Sequence, residues 1–237
     1  MSAPAGDVRW LPVADVAELE TTACRRVIDA AISAIRQRGE FLVVLAGGNT
    51  PRGVYRLLRE QNADWAHWHV YFGDERCLPA DSAERNSRMA ADEWLDHVPI
   101  PKSQLHPIPA ERGANAAALA YAKTLRTVGE FDLVLLGLGD DGHTASLFPE
   151  HDYGTAPDGP TVLAVCDAPK PPPERVSLSA PRLSRAREVL FLIAGDSKRD
   201  AVARWRAGGD IPARAIQPRA GADVLIESKL LSDSAKR

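Results

Sequence analysis

The chain has 237 residues, of which 45% are hydrophobic and 26% charged, a globular composition that excludes a disordered chain. Its 29 Lys and Arg against 32 Asp and Glu leave a formal charge of −3 with no basic block longer than a pair, which excludes a nucleic-acid partner and requires any anion to be bound locally. No apolar run nears the ~20 residues that cross a bilayer, no signal-peptide pattern opens the chain, and the three scattered cysteines form neither a disulfide framework nor a zinc motif, so a soluble, cytoplasmic protein with one domain over 1–237 is expected.

The first element is a helix. Asp15, with Glu18 three residues on, opens it; Val16, Leu19, Ala23, Val27, Ala30 and Ala34 follow at spacings of three and four, and Gly39 ends it. Residues 41–46 are apolar at every position, as in a parallel strand covered on both faces. A helix over 51–60, a strand over 70–72, helices over 87–95 and 114–128, and a strand over 131–138 come next. Further strands are predicted at 161–166, 176–178, 188–194 and 224–226, with a helix at 197–207. This alternation points to an α/β fold, a mainly parallel open sheet with helices on both faces, whose site lies at the carboxyl edge of the strands. The Pro-rich stretches 98–109, 153–160 and 169–173 read as hinges and lack the character of an interdomain linker.

Four apolar runs end in glycine-containing polar turns: Gly47-Gly48-Asn49-Thr50-Pro51, Gly73-Asp74-Glu75-Arg76, Gly139-Asp140-Asp141-Gly142-His143 and Gly195-Asp196-Ser197-Lys198. All four belong at one sheet edge, and their shared chemistry implies a shared site. In the first, Gly47 and Gly48 allow close backbone approach, Thr50 can cap and Pro51 suits the first helical position, which makes an anion cradle of helix-start N–H groups. An ordinary strand-to-helix turn explains the same residues. The pattern is neither G-x-G-x-x-G nor Walker A, so no nucleotide cofactor is expected.

In the third turn His143 beside Asp141 forms a natural general base, with the carboxylate setting the imidazole tautomer. Two other readings stay open there: Asp141 as a helix cap beside a surface histidine, or Asp140, Asp141 and His143 as metal ligands, although no cluster of zinc or iron spacing supports a metal. Arg76, Arg175 and Lys198 are singly ordinary surface charges, yet together they could clamp a phosphate, and Asp74 joins them at the same edge. His67 and His69 read as a solvated or satisfied pair. Cys77 has no partner motif, and Ser197 lacks the second glycine of a nucleophile elbow.

Taken in order, residues 45–51 (Leu-Ala-Gly-Gly-Asn-Thr-Pro), 73–76 (Gly-Asp-Glu-Arg) with Asn86 and Ser87 downstream, and 137–149 (Gly-Leu-Gly-Asp-Asp-Gly-His-Thr-Ala-Ser-Leu-Phe-Pro) resemble the motifs of the 6-phosphogluconolactonases. Residues 173–179 (Pro-Glu-Arg-Val-Ser-Leu-Ser) and 195–198 resemble the later motifs of that family. The resemblance implies a Rossmann-like fold of the deaminase/isomerase type. It also implies hydrolysis of 6-phospho-D-glucono-1,5-lactone to 6-phosphogluconate in the oxidative pentose phosphate pathway, without a metal or cofactor. His143 would be the general base, with Asp141 orienting it or touching sugar hydroxyls. The phosphate would rest on Gly47, Gly48, Asn49 and Thr50 with Arg76, Arg175 and Lys198.

The related glucosamine-6-phosphate deaminases and isomerases carry an Asn-Glu pair where this chain has Leu147 and Phe148, a difference that favours hydrolysis over isomerisation. A deaminase or isomerase on the same scaffold is the alternative. A non-catalytic sugar-phosphate sensor would need a DNA-binding segment that the sequence does not display. A monomer is expected, because no coiled-coil heptad is present.

Overall fold

The uniformly apolar runs become the middle of a parallel sheet. The computed structural model describes residues 7–232. In chain order its elements are β1 (Val8–Val13), α1 (Val16–Arg38), β2 (Phe41–Leu45), α2 (Asn49–Arg59), β3 (Trp68–Phe72), β4 (Asp74–Arg76), α3 (Asn86–Ala90), β5 (Leu105–His106), α4 (Ala114–Thr124), β6 (Phe131–Leu136), β7 (Val162–Val165), β8 (Arg175–Leu178), α5 (Ala180–Ser184), β9 (Ala186–Ile193), α6 (Arg199–Arg206) and β10 (Ala222–Glu227).

Seven strands form the parallel sheet in the order β1-β10-β9-β6-β2-β3-β5. After β2 the chain grows outward through β3 to β5, then returns to lay β6 on the other side of β2 and grows away through β9 and β10. The order therefore reverses between β2 and β6, the place where open α/β sheets bind ligands. Burial follows from this position. Every residue of β6 is buried, including Asp132, whose carboxylate accepts the Leu42 N–H at 2.8 Å and pairs with Arg38. One contiguous apolar core runs through both faces of the sheet.

Helix α1 forms as its sequence dictates. The Asp15 carboxylate accepts the Glu18 N–H at 2.9 Å, Glu18 reaches back to accept the Ala14 N–H at 2.6 Å, and Gly39 closes the helix at φ 83°. Leu19, Ala23, Val27 and Ala34 of the anticipated stripe are buried; Val16 is exposed, and Ala31 is buried where Ala30 is only half-covered.

Two expectations need correction. The runs at 161–166 and 176–178 were anticipated within the parallel alternation, but β7 and β8 join β4 in a separate antiparallel sheet ordered β4-β8-β7. The link from Val165 to Arg175 holds no helix, and a parallel crossover needs about a dozen residues or more, so the two strands can only pair as a hairpin. Residues 74–76, expected as part of a turn, are strand β4, whose Arg76 stands opposite Arg175 on β8. The edge strand β1, with Pro12 tolerated there, and the short β5 and α5 were not anticipated.

Candidate active site

The turn after β2 is rigid at its base. The Tyr55 hydroxyl donates to the Ala46 carbonyl at 2.7 Å and accepts the Ala46 N–H at 3.1 Å, bracing the chain where it leaves the sheet. Gly48 then takes φ 105°, a conformation closed to most side chains, and serves as the N-cap of α2 without any side-chain capping bond. The helix consequently starts at Asn49, one residue ahead of the anticipated Thr50 cap, and Pro51 sits inside the first turn. Gly47 and Gly48 line a cavity of about 240 Å³, whereas Asn49 and Thr50 are not among its lining residues.

That cavity lies at the carboxyl ends of β2, β3, β6 and β9 and gathers all four glycine turns. Gly73, Asp74, Arg76, Asn86, Gly137, Gly139, Asp140, His143, Thr144, Lys170, Arg175 and Lys198 contribute to its wall. Sites for drug-sized ligands measure about 300–1,000 Å³, so this one suits a single small polar molecule.

The chain after β6 holds a carboxylate paired with an imidazole. Asp141 Oδ1 lies 2.6 Å from His143 Nδ1 and also accepts the His143 backbone N–H at 3.1 Å. A carboxylate at Nδ1 fixes the proton on that nitrogen and leaves Nε2 as the ring's free basic atom. Burial pushes the Asp141 carboxyl up, but the ring and backbone hydrogen bonds from His143 and the charge of Lys170 outweigh it and hold the group well below the usual carboxylate range. Gly139 is required here, because a Cβ at that position would stand 2.1 Å from His143 Nδ1.

No helix follows His143, so Asp141 is not a helix cap. Residues 143–148 instead form a tight turn closed by the Thr144–Leu147 bridge. The Thr144 hydroxyl donates to the Gly137 carbonyl at 2.8 Å, the Ser146 hydroxyl donates to Asp74 Oδ2 at 2.6 Å, and Leu147 and Phe148 are fully buried. The Phe148 ring lies 4.9 Å from the imidazole of His143, centroid to centroid, giving that ring one apolar wall.

The second turn supplies a buried anion and a cation pair. Asp74 accepts from Asn86 Nδ2 at 2.9 Å as well as from Ser146, which satisfies its carboxylate on the cavity floor. Its neighbour Glu75 is turned away and fully buried, where it accepts the N–H groups of Asn86 and Ser87 at 2.8 Å each. Arg76 and Arg175 face each other across the β4–β8 pair, an arrangement of like charges that is unfavourable until an anion joins it. Arg76 Nε is buried without a partner among the described residues. Burial pulls Arg175 down from its usual range against the opposing charge of Asp74, with Arg76 adding to the fall, and burial likewise pulls down Lys198.

The structure thus brings together Gly47, Gly48, Asp74, Arg76, His143, Arg175 and Lys198 at the cavity, with Asp141 directly behind the imidazole. Sequence reasoning missed Lys170, whose Nζ pairs with Asp140 and lies 3.5 Å from Asp141 Oδ2. The only signal was a lone lysine in the Pro-rich stretch 169–173. Ligand atoms of Asp140, Asp141 and His143 approach within 4.8 Å of one another, and the Lys170 ammonium already pairs with Asp140 and lies 3.5 Å from Asp141. Burial pushes the Cys77 thiol up to about 11, which leaves it inert, and Ser197 is exposed. No described helix is long and apolar enough to cross a membrane.

Residues 14–225 match the family model described as glucosamine-6-phosphate isomerases/6-phosphogluconolactonase. The 6-phosphogluconolactonase of Mycobacterium tuberculosis is 39% identical over 217 residues, covering 86% of this chain and 87% of the relative. That of Streptomyces coelicolor is 40% identical over 232 residues, covering 90% and 87%. Among solved structures, 6-phosphogluconolactonase from Thermotoga maritima superposes with a TM-score of 0.85 at 26% identity, covering 94% of this chain and 100% of the other. A monomeric glucosamine-6-phosphate deaminase shares the fold, with a TM-score of 0.80 at 21% identity, covering 94% of this chain and 98% of the other. On the sequence matches, this chain belongs to the glucosamine-6-phosphate isomerase/6-phosphogluconolactonase family and is an enzyme of its lactonase branch.

Proposed function

We propose that the chain hydrolyses 6-phospho-D-glucono-1,5-lactone to 6-phosphogluconate, the ring-opening step of the oxidative pentose phosphate pathway, with His143 as the general base. The observation that carries this reading is the 2.6 Å bond between Asp141 and His143 Nδ1, which leaves Nε2 as the free basic nitrogen of a side chain in the wall of a cation-rich cavity. A δ-lactone is a reactive ester, so no covalent nucleophile is required. Nε2 takes a proton from water as its oxygen bonds to C1, and the carbonyl electrons move onto oxygen to give a tetrahedral oxyanion. The oxyanion collapses, the bond from C1 to the ring oxygen breaks, and Nε2 returns its proton to that oxygen. General acid–base work of this kind is worth about 10² to 10⁴ in rate.

The phosphate docks on Arg76, Arg175 and Lys198 beside the N-terminus of α2, where Gly48 leaves backbone N–H groups free. Holding the far end of the sugar there keeps C1 against the base. Asp74, already satisfied by Asn86 and Ser146, presents its remaining lone pairs to sugar hydroxyls. The deaminase alternative is disfavoured by Phe148, since the position beside the imidazole offers an apolar ring in place of a carboxylate.

The test is proton release from freshly generated lactone, followed with a pH indicator against the spontaneous blank, in parallel with ammonia release from glucosamine 6-phosphate. Rapid lactone opening without ammonia is expected. Ammonia release with lactone opening no faster than the blank would overturn the proposal.

A further inference from the structure

The link between β7 and β8 is held over the catalytic turn by an arginine. Arg175, 4% exposed, donates from Nε to the Pro172 carbonyl at 3.0 Å and from Nη2 to the carbonyls of Lys170 and Pro171 at 3.1 and 3.0 Å. Three carbonyls of one short segment thus converge on one buried guanidinium, and the Ala168 N–H closes the base of the loop on the Pro173 carbonyl at 3.0 Å. The same guanidinium lies 5.4 Å above the Phe148 ring that walls His143. The fixed backbone delivers the Lys170 ammonium to Asp140 and to within 3.5 Å of Asp141 Oδ2. Asp141 therefore has an imidazole on one oxygen and an ammonium near the other.

We propose that Lys170 is a positioning residue that sets the proton affinity of the His143–Asp141 pair. The inference rests on the reading of His143 as the base. An ion at 2.6 Å favours the charged form of its partner, so an uncompensated Asp141 would hold the imidazole as imidazolium, a form unable to accept a proton from water. Asp140 next in sequence would add to that effect. The Lys170 ammonium offsets one of these two charges, and Asp141 then orients the ring with a weaker hold on its proton. Burial works against the charged ammonium, but its bonds and charge contacts with Asp140 and Asp141 prevail and raise Lys170 above its usual range, so it stays cationic throughout the working pH.

The other charged groups around the imidazole come from other segments of the chain. They are Lys198 from the turn before α6, Asp74 on the cavity floor, Arg175 across Phe148, and His151, whose ring packs on Phe148 at 5.9 Å. Arg204 of α6 donates to the Asp141 carbonyl at 3.1 Å.

The experiment is the pH dependence of kcat/KM for Lys170→Met and Lys170→Arg beside the wild type, with the His143 imidazole titrated by NMR in each free protein. In Lys170→Met the acid limb is expected to move to higher pH by roughly 0.5 to 1 unit, with the NMR midpoint moving the same way and Lys170→Arg restoring both. An unmoved limb and midpoint would overturn the proposal, whatever happens to the plateau rate. A rise in KM alone would overturn it in favour of Lys170 as a phosphate ligand. If His143→Ala retained full kcat, the base reading would fail by itself, and the NMR midpoint in Lys170→Met would still decide whether Lys170 acts on the ring.

Discussion

His143 and His69 both sit beside a polar partner on connections or strands of the parallel sheet, yet their surroundings differ in kind. His69, on β3, faces His106 on β5 with Nδ1 and Nε2 at 3.4 Å, in rings only 8° from coplanar with centroids 5.7 Å apart, an edge-to-edge imidazole pair. The Tyr71 ring stacks on His106 at 4.4 Å, and Glu40 comes no nearer to His69 than 3.6 Å. His69 is the second residue of its strand, remote from the carboxyl edge, and neither histidine lines the active-site cavity. His143 lies in the turn beyond the carboxyl end of β6, seven residues past Leu136, with a carboxylate at 2.6 Å and a cavity in front. A neutral imidazole partner can fix a tautomer but cannot stabilise an imidazolium as a carboxylate does. On the proposed reading, position beyond the strand end and the charge of the partner, more than residue type, separate the base from a packed histidine.

Changing the partner's charge is the strongest way to break this contrast. Asp141→Asn should lower kcat by about 10² to 10⁴, with the fold retained by circular dichroism, because the amide no longer favours the Nδ1–H tautomer. A loss of under tenfold would make the pair a structural contact like the His69–His106 one. At the phosphate end, Lys198→Ala should raise KM for the phosphorylated lactone by about tenfold, the scale of one charge-assisted hydrogen bond, and spare weak activity on unphosphorylated gluconolactone. Equal losses on both lactones would show that Lys198 does not read the phosphate.

The smallest effect belongs to the second histidine pair. Burial, then the nearby His69 ring, holds His106 below its usual range. A histidine depressed on folding costs nothing above its unfolded value of about 6.5 and destabilises as pH falls below it. The wild type should therefore melt at lower temperature at pH 5 than at pH 7 by more than His106→Gln does, with kcat unchanged by the substitution. A melting difference between the two pH values as large in the variant as in the wild type would remove His106 from the acid response.

Where the sequence was legible, one chemical period decided the outcome. Helix α1 carries its own caps and stripe; β2 is apolar throughout, and β6 from Leu133 and β9 from Val189 are apolar too, because both faces of the sheet are covered there. The glycine turns after them could be read as one site because parallel strands all present the same edge. Partnership between distant segments was not legible. β7 and β8 read as strands, but only the missing crossover helix shows that they pair antiparallel, and β4 is too short to announce itself. Thr50 read as a cap because nothing local reveals that Gly48 turns the chain first. Lys170 was hidden for the same reason as Ser146: each meets its carboxylate, Asp140 or Asp74, across a long loop that closes only in the folded chain.

Replacement of the imidazole tests the central claim most directly. Initial rates of proton release from freshly generated 6-phosphogluconolactone, corrected for spontaneous opening, are to be compared between the wild type and His143→Ala at matched folded concentrations. The account predicts that kcat falls by about 10² to 10⁴ while the variant still binds 6-phosphogluconate. A corrected kcat equal to that of the wild type would contradict His143 as the base.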